Sequence, residues 1–291
     1  MRQDSFAGYH PAVQLLYFAL VLGCAVAMGH PVCLALSFVC ALACALRLRA
    51  GGRRQLLWLL PGCALAALVN PAFSHRGATI LAYFPGGNPL TLESILFGIS
   101  SSAALVTVLL WFRYLNAVLD SEKILWLFGR AAPGLSLLLS LSLRFVPRFA
   151  AQARAIEEAQ RCVGEEARGL LRRARHGMRV LSILVTWALE NAIDTADSMK
   201  ARGYGLPGRS AFSIYRFDRR DGLALFFLVF CGGAAIGGAA FGRLKFHYYP
   251  TAGGAAPDLA QICLFAAYGA LCGLPLILNA KEALQWKRLR N

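Results

Sequence analysis

The chain has 291 residues, of which 57% are hydrophobic and only 15% charged, with a mean hydropathy of +0.53. A soluble domain carries roughly 25% charged residues, so a soluble globular enzyme is all but excluded, and disorder fails because it needs low hydrophobicity. The formal net charge of +15 would suggest nucleic acid in a soluble protein, but in a membrane protein such a surplus marks cytoplasmic loops.

Residues 5–46 contain no Asp, Glu, Lys or Arg. A helix crosses a bilayer in about 20 residues, so this stretch predicts two spans, with Gly29-His30-Pro31 as the turn. Further charge-free runs at 55–75, 94–112, 222–242 and 259–280 raise the expectation to six crossings, four before residue 113 and two after 221. A charge at the centre of a span costs roughly 2.5–3.5 kcal/mol on the insertion scale, which makes uninterrupted runs of this length informative. Arg2 and Asp4 precede a run far longer than a signal-peptide core, without an Ala-x-Ala stop, so no cleavable leader is expected.

Charge placement then sets an orientation. With the N-terminus in the cytoplasm, the exterior segments 29–31, 76–93 and 243–258 hold only Arg76, Arg243 and Lys245, and the other 27 of the 30 basic residues lie inside. This bias predicts a multi-pass protein of the cell membrane with both termini cytoplasmic, and it turns the positive charge away from a nucleic-acid role.

The middle of the chain, 113–221, intersperses both charge signs. Its apolar stretches at 131–143 and 180–189 are too short to cross a bilayer, yet periodic enough for helices packed on the membrane face or on each other. Pro133 suits a helix start, and Pro147 is expected to stop or kink that helix. A second helix is expected over 148–163, ending at Gly164, and a third from about 178 to 202, ending at Gly203. The expected fold is therefore all-α: a polytopic membrane helical bundle of about six spans. Its parts are an N-terminal membrane part at 1–112, a cytoplasmic helical region at 113–221 and a C-terminal membrane part at 222–291.

Chemistry is sparse. The nine cysteines form no CxxC pair and eight lie in apolar runs, so they read as small packing residues rather than a disulfide framework or zinc site. The five histidines lack ligand spacing, and neither a metal nor a cofactor is expected. No Gly-Lys dipeptide occurs, so there is no Walker A loop to cradle phosphates. The charge-free spans hold no acid for ion coupling. Any energy for transport must then enter from elsewhere, and the charged cytoplasmic block is the natural place.

Within that block Glu190, Asp194 and Asp197 recur at i, i+4 and i+7 and share one helix face. They form either a solvated acidic stripe or a partner for arginines such as Arg154 and Arg161. Ala201-Arg202-Gly203 admits two readings as well. One is a glycine C-cap with a cation facing the helix dipole. The other is a small-Arg-small tip, where Ala and Gly allow close approach while Arg grips a partner carboxylate. Gly233xxxGly237, Gly238xxxGly242 and Gly269xxxGly273 favour close packing inside the bundle over docking of another protein.

Several short motifs now line up: Leu143-Arg144-Phe145-Val146-Pro147, Ala159-Gln160-Arg161-Cys162-Val163-Gly164 and Met199-Lys200-Ala201-Arg202-Gly203-Tyr204. With Asn70-Pro71 and Gly87-Asn88-Pro89-Leu90-Thr91, this ordered set resembles the T component (CbiQ/EcfT type) of energy-coupling factor (ECF) transporters. The resemblance implies a scaffold without catalytic residues of its own. Its coupling helices would end in Ala-Arg-Gly motifs inserted into two ABC-type ATPase subunits. In the membrane it would hold a separate S component that binds a vitamin or metal ion. By this resemblance Ala201, Arg202 and Gly203 form the second tip, while Arg144, Pro147, Glu190, Asp194 and Asp197 support the coupling helices. The first tip departs from the pattern, since Val163 stands where the family has arginine. Ala159, Gln160, Arg161 and Gly164 are the expected contact, with Arg168 of Ala167-Arg168-Gly169 as a substitute. Two spans follow the coupling block where the family more usually has one.

Two other classes compete. A self-contained secondary carrier would need polar groups at mid-membrane, and Asn70, Asn116 and Thr107 are few and mostly near span ends. A membrane-embedded enzyme would need an acid or histidine cluster at the membrane face, for which Glu157, Glu158 and His176 are the only material.

Overall fold

The computed structural model describes residues 5–47, 53–73, 77–83, 89–129, 133–163, 169–207, 215–244, 246–249 and 258–290. A short 3-10 turn at Ser5–Gly8 leads into α1 (Pro11–Ala27) and α2 (Pro31–Arg47). Both helices open on a His-Pro pair. Proline at the first helical position has no N–H to leave orphaned, and the preceding imidazole accepts the next one. Ala12 N–H donates to His10 Nδ1, and Val32 N–H to His30 Nδ1, each at 3.3 Å.

After α3 (Arg53–Phe73), β1 (Ile80–Tyr83) pairs antiparallel with β2 (Pro89–Thr91), Ile80 opposite Thr91 and Tyr83 opposite Pro89. Thr91 caps α4 (Leu92–Val118) through Oγ1, which accepts from Ser94 N–H. The buried Glu93 carboxylate accepts from Thr79 N–H at 3.2 Å and so ties the hairpin to the start of that helix. The remaining helices are α5 (Ser121–Gly129), α6 (Pro133–Cys162), α7 (Leu170–Ala201), α8 (Arg219–Ala240) and α9 (Leu259–Arg290).

The chain divides into two compact units, one formed by Met1–Ser121 with Tyr215–Asn291 and the other by Glu122–Ile214. In the first, α4 packs against α1, α2 and α3, and α9 packs against α2 and α8. Its core is rich in aromatic rings: Phe6 meets Tyr17 edge-on at 5.0 Å, Tyr17 meets Phe18 at 5.2 Å and Trp111 at 6.0 Å. Such geometry sets the positive edge of one ring on the negative face of the next. The polar atoms of these rings are answered within the bundle. Trp111 Nε1–H donates to Ser37 Oγ at 2.9 Å, and Tyr17 O–H to the Cys272 carbonyl at 3.1 Å. In hydrocarbon no water could replace these partners.

Among the described residues, α4, α6, α8 and α9 are long and apolar enough to cross a membrane. α1 and α2, apolar but only 17 residues each, stand at the short limit of a crossing. The expected all-α membrane bundle is the architecture found. Its middle differs in detail from the sequence reading. Pro147 neither stops α6 nor divides it, and the two helices expected at 133–147 and 148–163 are one element. A proline inside a helix removes one hydrogen bond and crowds one carbonyl. Pro147 is exposed, so that crowding disturbs no tightly packed contact. The apolar window of α6 consequently extends past residue 143 and reaches spanning length. α7 begins at Leu170 rather than near 178, because Leu170–Arg179 is rich in the good helix formers Leu, Arg and Ala.

The small-residue patterns serve packing only in part. A Cβ on Gly238 would come within 2.6 Å of Leu264 Cδ1, and one on Gly269 would sit 3.7 Å from Leu36 Cδ1. A Cβ on Gly233, Gly237 or Gly273 would meet open space, while one on Gly232, outside the three motifs, would come within 2.8 Å of Leu20 Cδ1.

Candidate functional site

The second unit is built on α6 and α7, which pack on one another. On α7 the half-buried positions run from His176 and Val180 through Leu184, Trp187, Ala188, Asn191 and Thr195 to Met199, a single stripe at helical spacing. The contact centres on Trp187. The Phe149 ring meets it edge-on at 5.7 Å and the Arg148 guanidinium lies over it at 5.7 Å, while Phe145 stacks on Phe149. A cation over an indole that keeps part of its surface in solvent contributes about 0.5–1 kcal/mol. Little else is sealed: Ile156 is the one buried residue of α6 among the described residues, and α7 has none.

Arg144 and Pro147 are both exposed, so the arginine that meets α7 is Arg148, one turn further on. Sequence reasoning missed Arg148, Phe149 and Trp187. A signal existed, because Arg144-Phe145 and Arg148-Phe149 repeat four residues apart and therefore share a face. Glu190, Asp194 and Asp197 are also exposed. Asp197 meets Lys200 on its own helix at 3.5 Å. No ion pair joins the stripe to Arg154 or Arg161 among the described residues, and of the two sequence readings the solvated stripe is the one this geometry fits.

Arg161, at the end of α6, pairs with Glu157 one turn back at 2.7 Å. Both side chains are largely exposed, and such pairs are worth about 0–1 kcal/mol, so Arg161 can exchange this partner for another at little cost. Ala159 beside it is exposed and Gln160 half-buried. Gly164 and Arg168 lie outside the described residues, as do Gly87 and Asn88.

The end of α7 is shaped by its glycine. Gly203 has φ +76°, a left-handed conformation that only glycine adopts freely. With it the Gly203 N–H donates to the Lys200 carbonyl at 2.9 Å, and the Tyr204 N–H to the Met199 carbonyl at 3.0 Å. This is the Schellman pair that closes a helix C-terminus. Arg202 occupies the cap position, exposed, and no carboxylate engages its side chain among the described residues. The residue is held by a rigid backbone turn while its guanidinium stays available. From the Trp187 contact, the tips at Arg161 and Arg202 lie roughly 18 Å and 22 Å along their respective helices at 1.5 Å per residue.

Large apolar side chains remain uncovered on both helices. Leu135, Leu138, Leu143 and Val146 of α6 and Leu181, Val185, Leu189 and Ile193 of α7 are exposed. Uncovered apolar area on this scale marks contact with lipid or protein. Among the described residues no group of three or more His, Cys, Asp or Glu is placed to hold a metal ion.

Over 110 residues the chain is 32% identical to the energy-coupling factor transporter transmembrane protein EcfT of Lactobacillus helveticus (strain DPC 4571). That stretch is 37% of this chain and 40% of the relative's length. Residues 9–213 match the family described as CbiQ, cobalt transport protein. The chain belongs to that CbiQ family of membrane transport components.

Proposed function

We propose that the chain is the transmembrane scaffold of an ECF-type ABC importer, converting the motion of partner ATPases into solute uptake. In this reading it has no catalytic site of its own. Arg202, framed by Ala201 and Gly203, engages one of two ABC-type ATPase subunits, and Arg161 with Ala159, Gln160 and Gly164 engages the other. Arg168 stands beside that first tip as its substitute. The membrane parts at 1–112 and 222–291 hold an S component that binds a vitamin or transition-metal ion. The helical region at 113–221 lies on the cytoplasmic side with both termini.

The observation that carries this reading is Arg202: an exposed guanidinium without a carboxylate partner among the described residues, delivered by a glycine-closed turn at the tip of a 32-residue helix. A planar fork of N–H donors on a rigid mount suits bidentate capture of a carboxylate on another chain. Membership of the CbiQ family and the name of the EcfT relative support the assignment.

The test is Arg202→Glu. Co-purification with the partner ATPases and ATP-dependent uptake in proteoliposomes are both lost, while membrane insertion is unchanged. Normal co-purification and uptake by this variant would overturn the proposal.

A further inference from the structure

The first ten residues of α7 bear a surface that lies outside the contacts proposed for Arg161 and Arg202. Leu170 and Leu171 are 91% and 88% exposed, and Met178 is exposed as well. At 100° per residue, Leu170, Leu171, Ala174 and Met178 fall within one arc of the helix. Arg173 and Arg175 stand on the two margins of that arc, and Arg172 lies on the opposite side.

None of these three arginines has a carboxylate partner among the described residues. No acidic residue occurs in the first turn of α7 or anywhere in 169–179. Even with Glu165 and Glu166 counted, 165–179 stays net positive through Arg168, Arg172, Arg173, Arg175 and Arg179. The cations also sit at the positive end of the helix dipole, where they repel it and one another.

In water this arrangement is unfavourable twice over, through exposed leucines and through concentrated like charge. An anionic bilayer surface reverses both terms. Leucines enter the headgroup–acyl boundary, and guanidiniums flanking them reach phosphates through charge-assisted hydrogen bonds. Each basic residue near such a surface contributes to binding. The chain is already held in a membrane by its other helices, so this segment meets lipid at high effective concentration.

We infer that Leu170–Arg179 is an anionic-lipid anchor, with Leu170 and Leu171 as the inserted residues and the marginal Arg173 and Arg175 as the phosphate ligands. This holds whether or not Arg202 engages an ATPase, so the two proposals fail separately.

The experiment places the full chain in nanodiscs of phosphatidylcholine alone or with roughly 30% phosphatidylglycerol and follows amide hydrogen exchange over 170–179. Exchange is expected to slow about five-fold or more with the anionic lipid. The Arg173→Gln/Arg175→Gln variant abolishes this dependence, and Leu170→Ser/Leu171→Ser weakens it. The corresponding double lysine variant keeps the charge and retains the effect. Unchanged exchange in α4 certifies the fold of each variant. Soluble glycerol phosphate added to neutral discs gives no protection. Equal exchange in the two lipids overturns the proposal. So does protection by soluble phosphate, or protection that appears only when the ATPases are added, whatever the lipid.

Discussion

The backbone N–H of His10 donates to the carboxylate of Asp221 at 3.1 Å, joining positions 211 residues apart. The second oxygen of the same carboxylate accepts from Asp218 N–H at 3.0 Å, and Asp221 is 1% exposed. Arg220 adds a bond to the Gly8 carbonyl at 3.1 Å and lies over the Tyr9 ring at 5.4 Å. The N-terminal turn is thereby fastened to the start of α8. Asp221→Ala leaves two part-buried N–H groups without this acceptor and is expected to destabilise the fold by roughly 1–3 kcal/mol. Asp221→Asn keeps one acceptor oxygen and loses about half as much. Thermal unfolding in nanodiscs measures both, and equal stability of Asp221→Ala and the parent would contradict the described fastening.

Gly203 gives a prediction that separates shape from charge. Its φ is +76°, and Leu206 Cδ1 lies 3.2 Å from the point to which a Cβ would project. Gly203→Val therefore strains the turn by about 1–2 kcal/mol. The strain falls on the presentation of Arg202. ATPase co-purification drops while the melting of the membrane part stays within experimental error.

His30 sets a pH dependence. Partial burial holds its imidazole below the ordinary 6.5, among the rings of Phe246 and Phe265. Its Nδ1 is the acceptor for Val32 N–H, a role open only to the unprotonated nitrogen. The unfolded chain therefore takes up a proton first as pH falls through 6.5, and stability decreases from there downward. Well above that value the group is neutral in both states and contributes no slope. Unfolding midpoints between roughly pH 7.5 and 5.5 should fall in the parent and fall less in His30→Asn, which keeps a capping acceptor. Parallel profiles for the two proteins would refute the assignment.

The first tip is resolved by comparing arginines. Arg161→Glu removes the Glu157 pair, which as an exposed interaction is worth at most about 1 kcal/mol. Uptake, by contrast, is expected to fall by about ten-fold or more, the loss of a charge-assisted contact to the ATPase. Arg168→Glu, by the same assay, has a smaller effect. A reversed ranking would move the contact to Ala167-Arg168-Gly169.

The spans at α4, α8 and α9 were legible because insertion into hydrocarbon imposes length and apolarity on contiguous residues, whereas the spanning length of α6 was not. The glycine stop at Gly203 was legible because a left-handed cap is a local requirement. Asp221 was not, since one of its donors is a backbone group distant in sequence, although Asp218-x-x-Asp221 ahead of an apolar run is a capping-box signal. Pro147 misleads because proline's local cost says nothing of the apolar surface that continues on either side of it. The β1–β2 hairpin gave no sign either, because Ile80–Tyr83 lacks the polar–apolar alternation of a half-buried strand.

A pair of long helices with Ile156 as their single buried residue among the described ones cannot be self-sustaining. Its conformation is borrowed from whatever covers its leucines. If the proposed complex forms, a chain made in excess of its partners would display an unshielded, cleavable segment to quality-control proteases, so its abundance in the cell should track theirs. Stoichiometry would then be enforced by degradation of the orphan, without a dedicated regulator.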